Sequence, residues 1–211
     1  MIRLAEVTVT ELVVSDWPHR FACAITVPLA PTPAAHTEAG HRAALRALAL
    51  AGCDADGLPP RSGRRPSWPT GFVGSIAHDD ELAVAVAART DVALTLGIDV
   101  ERHDALAVAD ATVVLSDDEL AFVGDDAALA TLLWSAKEAA YKAWCTGLDV
   151  ELERVDPRDI RVHVLDRVAL QISAVGELAD RVAAIGTLSA RSLRKGNLVI
   201  TAAWKLRPDA G

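Results

Sequence analysis

Phe72-Val73-Gly74-Ser75-Ile76-Ala77 and Leu82-Ala83-Val84-Ala85-Val86-Ala87-Ala88 are two apolar runs joined only by His78-Asp79-Asp80-Glu81. A four-residue link closes an antiparallel hairpin, whereas a parallel pair needs a crossover of a dozen or more residues. The stretch therefore points to an α+β fold with antiparallel sheets and away from a doubly wound parallel sheet.

Working outward, residues 7–14 and 21–27 read as strands. Helical spacing at Ala39, Ala43, Leu45, Ala47 and Leu48 predicts a helix over 36–50, with Gly52 as terminator. Residues 53–71 hold Pro59, Pro60, Pro66, Pro69 and three glycines (Gly57, Gly63 and Gly71) and read as loop. Downstream, 95–100 predicts a strand, and Ser116-Asp117-Asp118-Glu119 carries a capping-box start. Residues 129–144 predict the clearest helix, rich in Ala, Leu, Lys and Glu, and strands are expected at 160–165, 168–172 and 198–204. The order suggests a pseudo-twofold duplication of two α/β halves, 1–95 and 96–211, with an active site between them.

Composition narrows the function. Among 211 residues, 51% are hydrophobic and 24% charged, which suits a packed core. The net charge of −8 argues against broad nucleic-acid binding, which needs a basic footprint. A local basic pocket for a phosphate-rich small molecule remains compatible with it. No apolar run reaches the roughly 20 residues of a membrane-spanning helix. Met1-Ile2-Arg3-Leu4-Ala5-Glu6 does not read as a signal peptide, so a cytoplasmic protein is expected. Cys23, Cys53 and Cys145 are odd in number and lack CxxC spacing, which speaks against a disulfide framework or structural zinc.

Three segments carry chemistry. In Leu96-Gly97-Ile98-Asp99-Val100-Glu101, strand alternation puts Asp99 and Glu101 on one face and Ile98 and Val100 on the other. Paired carboxylates repel unless a cation lies between them, and hard oxygen donors suit Mg²⁺; a solvated strand end gives the same pattern. In Trp134-Ser135-Ala136-Lys137-Glu138-Ala139-Ala140-Tyr141-Lys142, Glu138 and Lys142 share a helix face. They can serve a metal and a phosphate, or form an ordinary surface pair. Lys137 projects about 100° away from Glu138, with Trp134 and Tyr141 on its side, packing against neighbouring structure. Between Gly63 and His78, Arg64 and Arg65 offer guanidinium forks for phosphate oxygens, and Ser75 and His78 offer further donors. A Ser–His nucleophile pair is the weaker reading, because no GxSxG elbow is present.

Taken together and in this order, the segments resemble the blocks of the 4′-phosphopantetheinyl transferases of the surfactin-synthetase and enterobactin type. The similarity runs over 63–204, from Arg65-Pro66-Ser67-Trp68-Pro69 to Leu198-Val199-Ile200-Thr201-Ala202-Ala203-Trp204. It implies coenzyme A between two halves and a Mg²⁺-dependent transfer of phosphopantetheine to a carrier-protein serine, with Mn²⁺ able to substitute. Asp99, Glu101 and Glu138 correspond to metal-binding acids. Glu138 also corresponds to the base, and Lys142 to a pyrophosphate contact. Ser75 and His78 correspond to coenzyme A phosphate contacts, and Arg65 to a basic residue near the nucleotide.

The chain departs from the pattern in Gly40-His41-Arg42-Ala43-Ala44-Leu45-Arg46, where His41 and Leu45 replace arginines. Arg42 or Arg46 is the candidate substitute contact, and a weaker affinity for coenzyme A or tolerance of dephospho-coenzyme A is expected. Ala77 replaces a usual Thr or Ser. Residues 103–131 hold seven acids (Asp104, Asp110, Asp117, Asp118, Glu119, Asp125, Asp126) and no Lys or Arg. Such a face would repel acidic fatty-acid carriers, so peptidyl or polyketide carriers are the expected partners. A non-catalytic coenzyme A- or carrier-binding relative and a coenzyme A pyrophosphate hydrolase are the alternatives. A monomer is the simpler expectation.

Overall fold

The computed structural model describes residues 9–11, 17–18, 21–59 and 65–208. The first half holds β1 (Val9–Glu11), β2 (Ala22–Thr26), α1 (Pro33–Leu50), β3 (Phe72–His78) and β4 (Ala83–Arg89). The second holds β5 (Ala93–Arg102), α2 (Val108–Ala111), α3 (Asp117–Val123), α4 (Ala127–Leu148), β6 (Ile160–Val164), β7 (Ala169–Ala174), α5 (Gly176–Arg181), β8 (Leu188–Lys195) and β9 (Leu198–Leu206). Two sheets result, ordered β1-β2-β4-β3 and β5-β9-β8-β7-β6, and every strand pair is antiparallel. The β3–β4 hairpin closes at His78 opposite Ala83, as the short link requires.

One helix lies on each sheet. Thr32 Oγ1 accepts the Ala35 N–H at 3.2 Å and Pro33 occupies the first turn, so α1 starts earlier than its apolar spacing shows. It packs Ala43, Ala44, Ala47 and Leu48 against Ala24, Ala85 and Ala87. Asp126 caps α4 by accepting the Leu129 N–H at 3.0 Å, and the helix ends on left-handed Asp149. A separate core lies between the two sheets, where Val73, Ala77, Val84 and Val86 meet Leu96, Ile98, Val100, Ile200 and Trp204. Burying Ile98 and Val100 in this core leaves the alternate residues of β5 to face α4.

Several elements differ from expectation. Of the strand read at 7–14, Val9–Glu11 is strand and the remainder lies outside the described residues. The sequence reading did not include β8, because Ser189, Arg191, Ser192, Arg194 and Lys195 blur its alternation. Its signal is the Gly196-Asn197 link, with Gly196 at φ +61°, a two-residue hairpin turn between Lys195 and Leu198. The helix α5 has no side-chain cap, which removes the usual start signal. Among the described residues, no helix is long and apolar enough to cross a membrane. Cys23, Cys53 and Cys145 are unpaired thiols.

Candidate active site

The site is built where β5 meets α4. Gly97 permits the approach: a Cβ there would press into the Ala139 carbonyl and lie 2.6 Å from the Ala143 nitrogen. Ala136, Ala139, Ala140 and Ala143 give α4 a flat, fully buried face. The Thr95 hydroxyl donates to the Ala143 carbonyl. About two turns nearer the helix start, the Ser135 hydroxyl donates to Thr201 Oγ1 at 3.1 Å, and Thr201 lies opposite Asp99 on β9.

This packing brings Asp99, Glu101, Glu138 and Lys142 into one neighbourhood. Asp99 is 4% exposed, and its Oδ1 accepts the Lys142 ammonium at 2.6 Å. Its Oδ2 is buried with no hydrogen-bond partner among the described residues. Burial, followed by the Asp99 carboxylate, pushes the Glu101 carboxyl up to about 7, against a Trp134 hydrogen bond and the Lys142 charge. Burial likewise raises Glu138, opposed by Lys142 and reinforced by Asp99. Among the described residues, no three His, Cys, Asp or Glu side chains are gathered into a ready cage. Lys142 is the cation on Asp99 here, and carboxylates repel one another without a cation between them. The donor set itself suits a hard divalent ion. It offers one unmet buried carboxylate oxygen and two acids whose ionisation burial and like charge oppose.

The nucleotide-side residues divide. Ser75 and His78 fall on opposite faces of β3: Ser75 is buried on the inter-sheet side, while His78 is exposed beside α1. His36 packs edge-to-face on His78 with ring centres 5.5 Å apart, and its Nδ1–H donates to the Asp79 carbonyl at 2.9 Å. Arg42 Nη1 donates to Glu38 at 2.6 Å, while its Nε and Nη2 are buried without partners among the described residues. Arg65 reaches across to the end of α4, donating to the Cys145 carbonyl at 3.1 Å and to Asp149 at 3.2 Å. Arg64 lies outside the described residues.

Two residues escaped the sequence reading. Trp134, expected only to pack, hydrogen-bonds Glu101. Its signal is spacing, since it stands four residues before Glu138 and so shares its face. His36 reaches His78 from α1, a pairing that only the tertiary fold creates. Tyr141 does pack as expected, its hydroxyl donating to the Leu152 carbonyl at 3.0 Å. A cavity of about 280 Å³ opens beside Glu138, lined by Trp134, Tyr141, Leu152, Pro157 and Ile160.

Residues 95–203, from within β5 through most of β9, match the family described as the 4′-phosphopantetheinyl transferase superfamily. The chain belongs to that superfamily. Residues 38–88 match the 4′-phosphopantetheinyl transferase N-terminal domain. The 4′-phosphopantetheinyl transferase Svp of Streptomyces mobaraensis is 37% identical over 127 residues, 54% of this chain and 52% of Svp. The 4′-phosphopantetheinyl transferase PptT of Mycobacterium tuberculosis is 41% identical over 83 residues, 37% of each. Enterobactin synthase component D of Salmonella typhi is 31% identical over 149 residues, 64% of this chain and 61% of that protein. The matched part thus spans from about a third to about three fifths of these relatives. Both superfamily matches fall on the two sheet-and-helix halves that the fold displays.

Proposed function

We propose that this member of the superfamily transfers the 4′-phosphopantetheine group of coenzyme A to a serine of an apo carrier protein, releasing 3′,5′-ADP. The observation that carries the reading is the half-satisfied Asp99. It is buried between β5 and α4, bound by Lys142 on one oxygen and unmet on the other, with Glu101 and Glu138 beside it. Asp99, Glu101 and Glu138 would hold Mg²⁺, with Mn²⁺ able to replace it. When bound, the ion supplies charge neutralisation at the pyrophosphate. The chain's own groups do the rest. Glu138 takes the serine proton, directly or through a water. The serine oxygen bonds to the β-phosphorus as the bond to the bridging oxygen breaks, and 3′,5′-ADP leaves with that electron pair. Lys142 and the arginines stabilise the charge that grows on it.

Family membership and the names of the matched relatives support this reading. Six of the seven acids at 103–131 are exposed; Glu119 is buried. That surface favours peptidyl or polyketide carriers over strongly acidic ones at low salt. One chain contains both halves, so a monomer suffices, and the cytoplasm is the expected location. The absence of arginines at 41 and 45 favours acceptance of dephospho-coenzyme A alongside coenzyme A.

The test is mass spectrometry of an apo carrier incubated with coenzyme A and Mg²⁺. A gain of about 340 Da on serine, the mass of the transferred group, is expected from the parent and not from Glu138→Gln. Free phosphopantetheine without carrier gain would assign pyrophosphate hydrolysis. Neither product would assign a binding role.

A further inference from the structure

Lys137 is 1% exposed and Glu119 6%, and every polar atom of the pair is engaged. The Lys137 ammonium donates to Glu119 Oε2 at 2.7 Å, to the Ile160 carbonyl at 2.6 Å and to the Pro157 carbonyl at 2.9 Å. That uses all three of its donors. Glu119 Oε1 accepts the Val162 N–H at 2.9 Å, and Oε2 accepts the Ser116 N–H and hydroxyl at 2.9 and 3.0 Å. Among the described residues, strand β6 is the last in its sheet, so the Ile160 carbonyl and Val162 N–H have no strand on that side. The ion pair takes the place of one. In doing so it fastens α3 and α4 to the edge of the sheet.

Lys137 immediately precedes Glu138 in α4. With its ammonium fixed at β6, the helix can present Glu138 only about 100° further round, and that direction is the one that brings it under the influence of Asp99 and Lys142. A buried ion pair adds little to stability over apolar residues of the same volume, so stability alone does not explain this pair. We propose that Lys137 is a positioning residue, and that its buried pair with Glu119, anchored on the free edge of β6, sets the rotation of α4 that brings Glu138 to the acids of β5. The inference rests on the transferase reading above.

The experiment compares the full-length parent with Lys137→Met, Glu119→Gln and Leu188→Ala. The last removes a core side chain on β8 that takes no part in the ion pair's hydrogen bonds, and controls for general destabilisation of the same core. Glu119→Gln keeps the acceptor for Val162 and has the same shape, so it carries the test if Lys137→Met fails to fold. Mn²⁺ affinity is read by electron paramagnetic resonance with coenzyme A present, and kcat and KM by carrier modification, all well below each melting temperature. Positioning predicts a loss of about 10- to 100-fold in kcat and about 10-fold in Mn²⁺ affinity for the two pair variants, the range seen when groups supporting metal ligands are removed. KM for coenzyme A should stay within about threefold, and Leu188→Ala should leave all three quantities within that range. A folded pair variant with kcat and Mn²⁺ affinity within about twofold of the parent overturns the positioning role, as does an equal loss in Leu188→Ala. A parent that neither modifies a carrier nor binds Mn²⁺ overturns the functional reading beneath it.

Discussion

Replacing Gly97 by alanine tests whether the approach of β5 to α4 builds the site. The new Cβ would overlap the Ala139 carbonyl and lie 2.6 Å from the Ala143 nitrogen and 3.0 Å from the Ala143 Cβ. Ordinary contact begins near 3.4 Å, so α4 must retreat by roughly 0.8 Å or more. The obstructing atoms are helix backbone, which cannot rotate aside as a long side chain can. Retreat loosens the Thr95–Ala143 and Ser135–Thr201 hydrogen bonds and draws Lys142 from Asp99. Overpacking costs about 1–3 kcal/mol and a weakened buried hydrogen bond about 1 more, so about 2–4 kcal/mol is expected. For a chain of this size that lowers the melting temperature by about 10 °C. Urea denaturation followed by tryptophan fluorescence should show the midpoint fall with unchanged slope. Gly57→Ala provides the comparison: nothing lies within 4 Å of its added Cβ, and its effect should stay within about 0.5 kcal/mol. A Gly97→Ala protein equal in stability to Gly57→Ala would refute the reasoning, because the helix and strand would then not be in the contact that the site requires.

Three further outcomes follow from the geometry. Glu138→Gln should lower carrier modification by at least about 100-fold while coenzyme A still binds, since the proton acceptor is lost and the side-chain volume kept; mass spectrometry and calorimetry together check it. Burial pushes the Cys23 thiol up to about 12 and also raises Cys145. A raised thiol pKa means less thiolate, so at pH 8 roughly one Cys23 in 10,000 is reactive. Native labelling with iodoacetamide should therefore modify partly exposed Cys53 well before Cys23, and peptide mapping showing Cys23 labelled first would contradict the burial. Arg65→Ala should cost about 1 kcal/mol by removing one hydrogen bond from the part-buried Cys145 carbonyl, which keeps the Val150 N–H at 3.2 Å. Asp149→Asn, which suits the same left-handed position, should cost under about 0.5 kcal/mol, because the lost charge is exposed; urea titration of the two variants separates them.

What the sequence made legible follows from two periods. Alternation along a strand placed Asp99 and Glu101 together and Ile98 and Val100 opposite, and the structure keeps this division. The same rule, applied to Ser75 and His78, puts them on opposite faces, because they stand an odd three positions apart; the shared block conceals this. Helical spacing joined Glu138 to Lys142, and also joins Trp134 to Glu138. Fold class was legible from link lengths, since a four-residue turn admits only one strand direction. The polar strand β8 was less so, because a strand with one half-covered face needs little apolar alternation.

The remaining gap lies in groups whose partners are remote in the chain. Glu119 reads in sequence as one more surface acid and as the far half of a capping box. The capping box is present, yet the same carboxylate is buried and meets Lys137 and the Val162 N–H. Local spacing can identify the cap because both partners lie within one turn. It cannot identify the ion pair, 18 residues apart, or the strand contact, 43 residues apart. Asp99 and Lys142 are likewise 43 residues apart, and the Gly97 approach is what brings them together. In this chain the chemistry-bearing side chains were visible singly, while their partnerships depend on β5, α4 and β6 meeting, which requires the small residues at positions 97, 136, 139, 140 and 143. Those residues carry no functional group, and they determine whether the acids and the ammonium share a site.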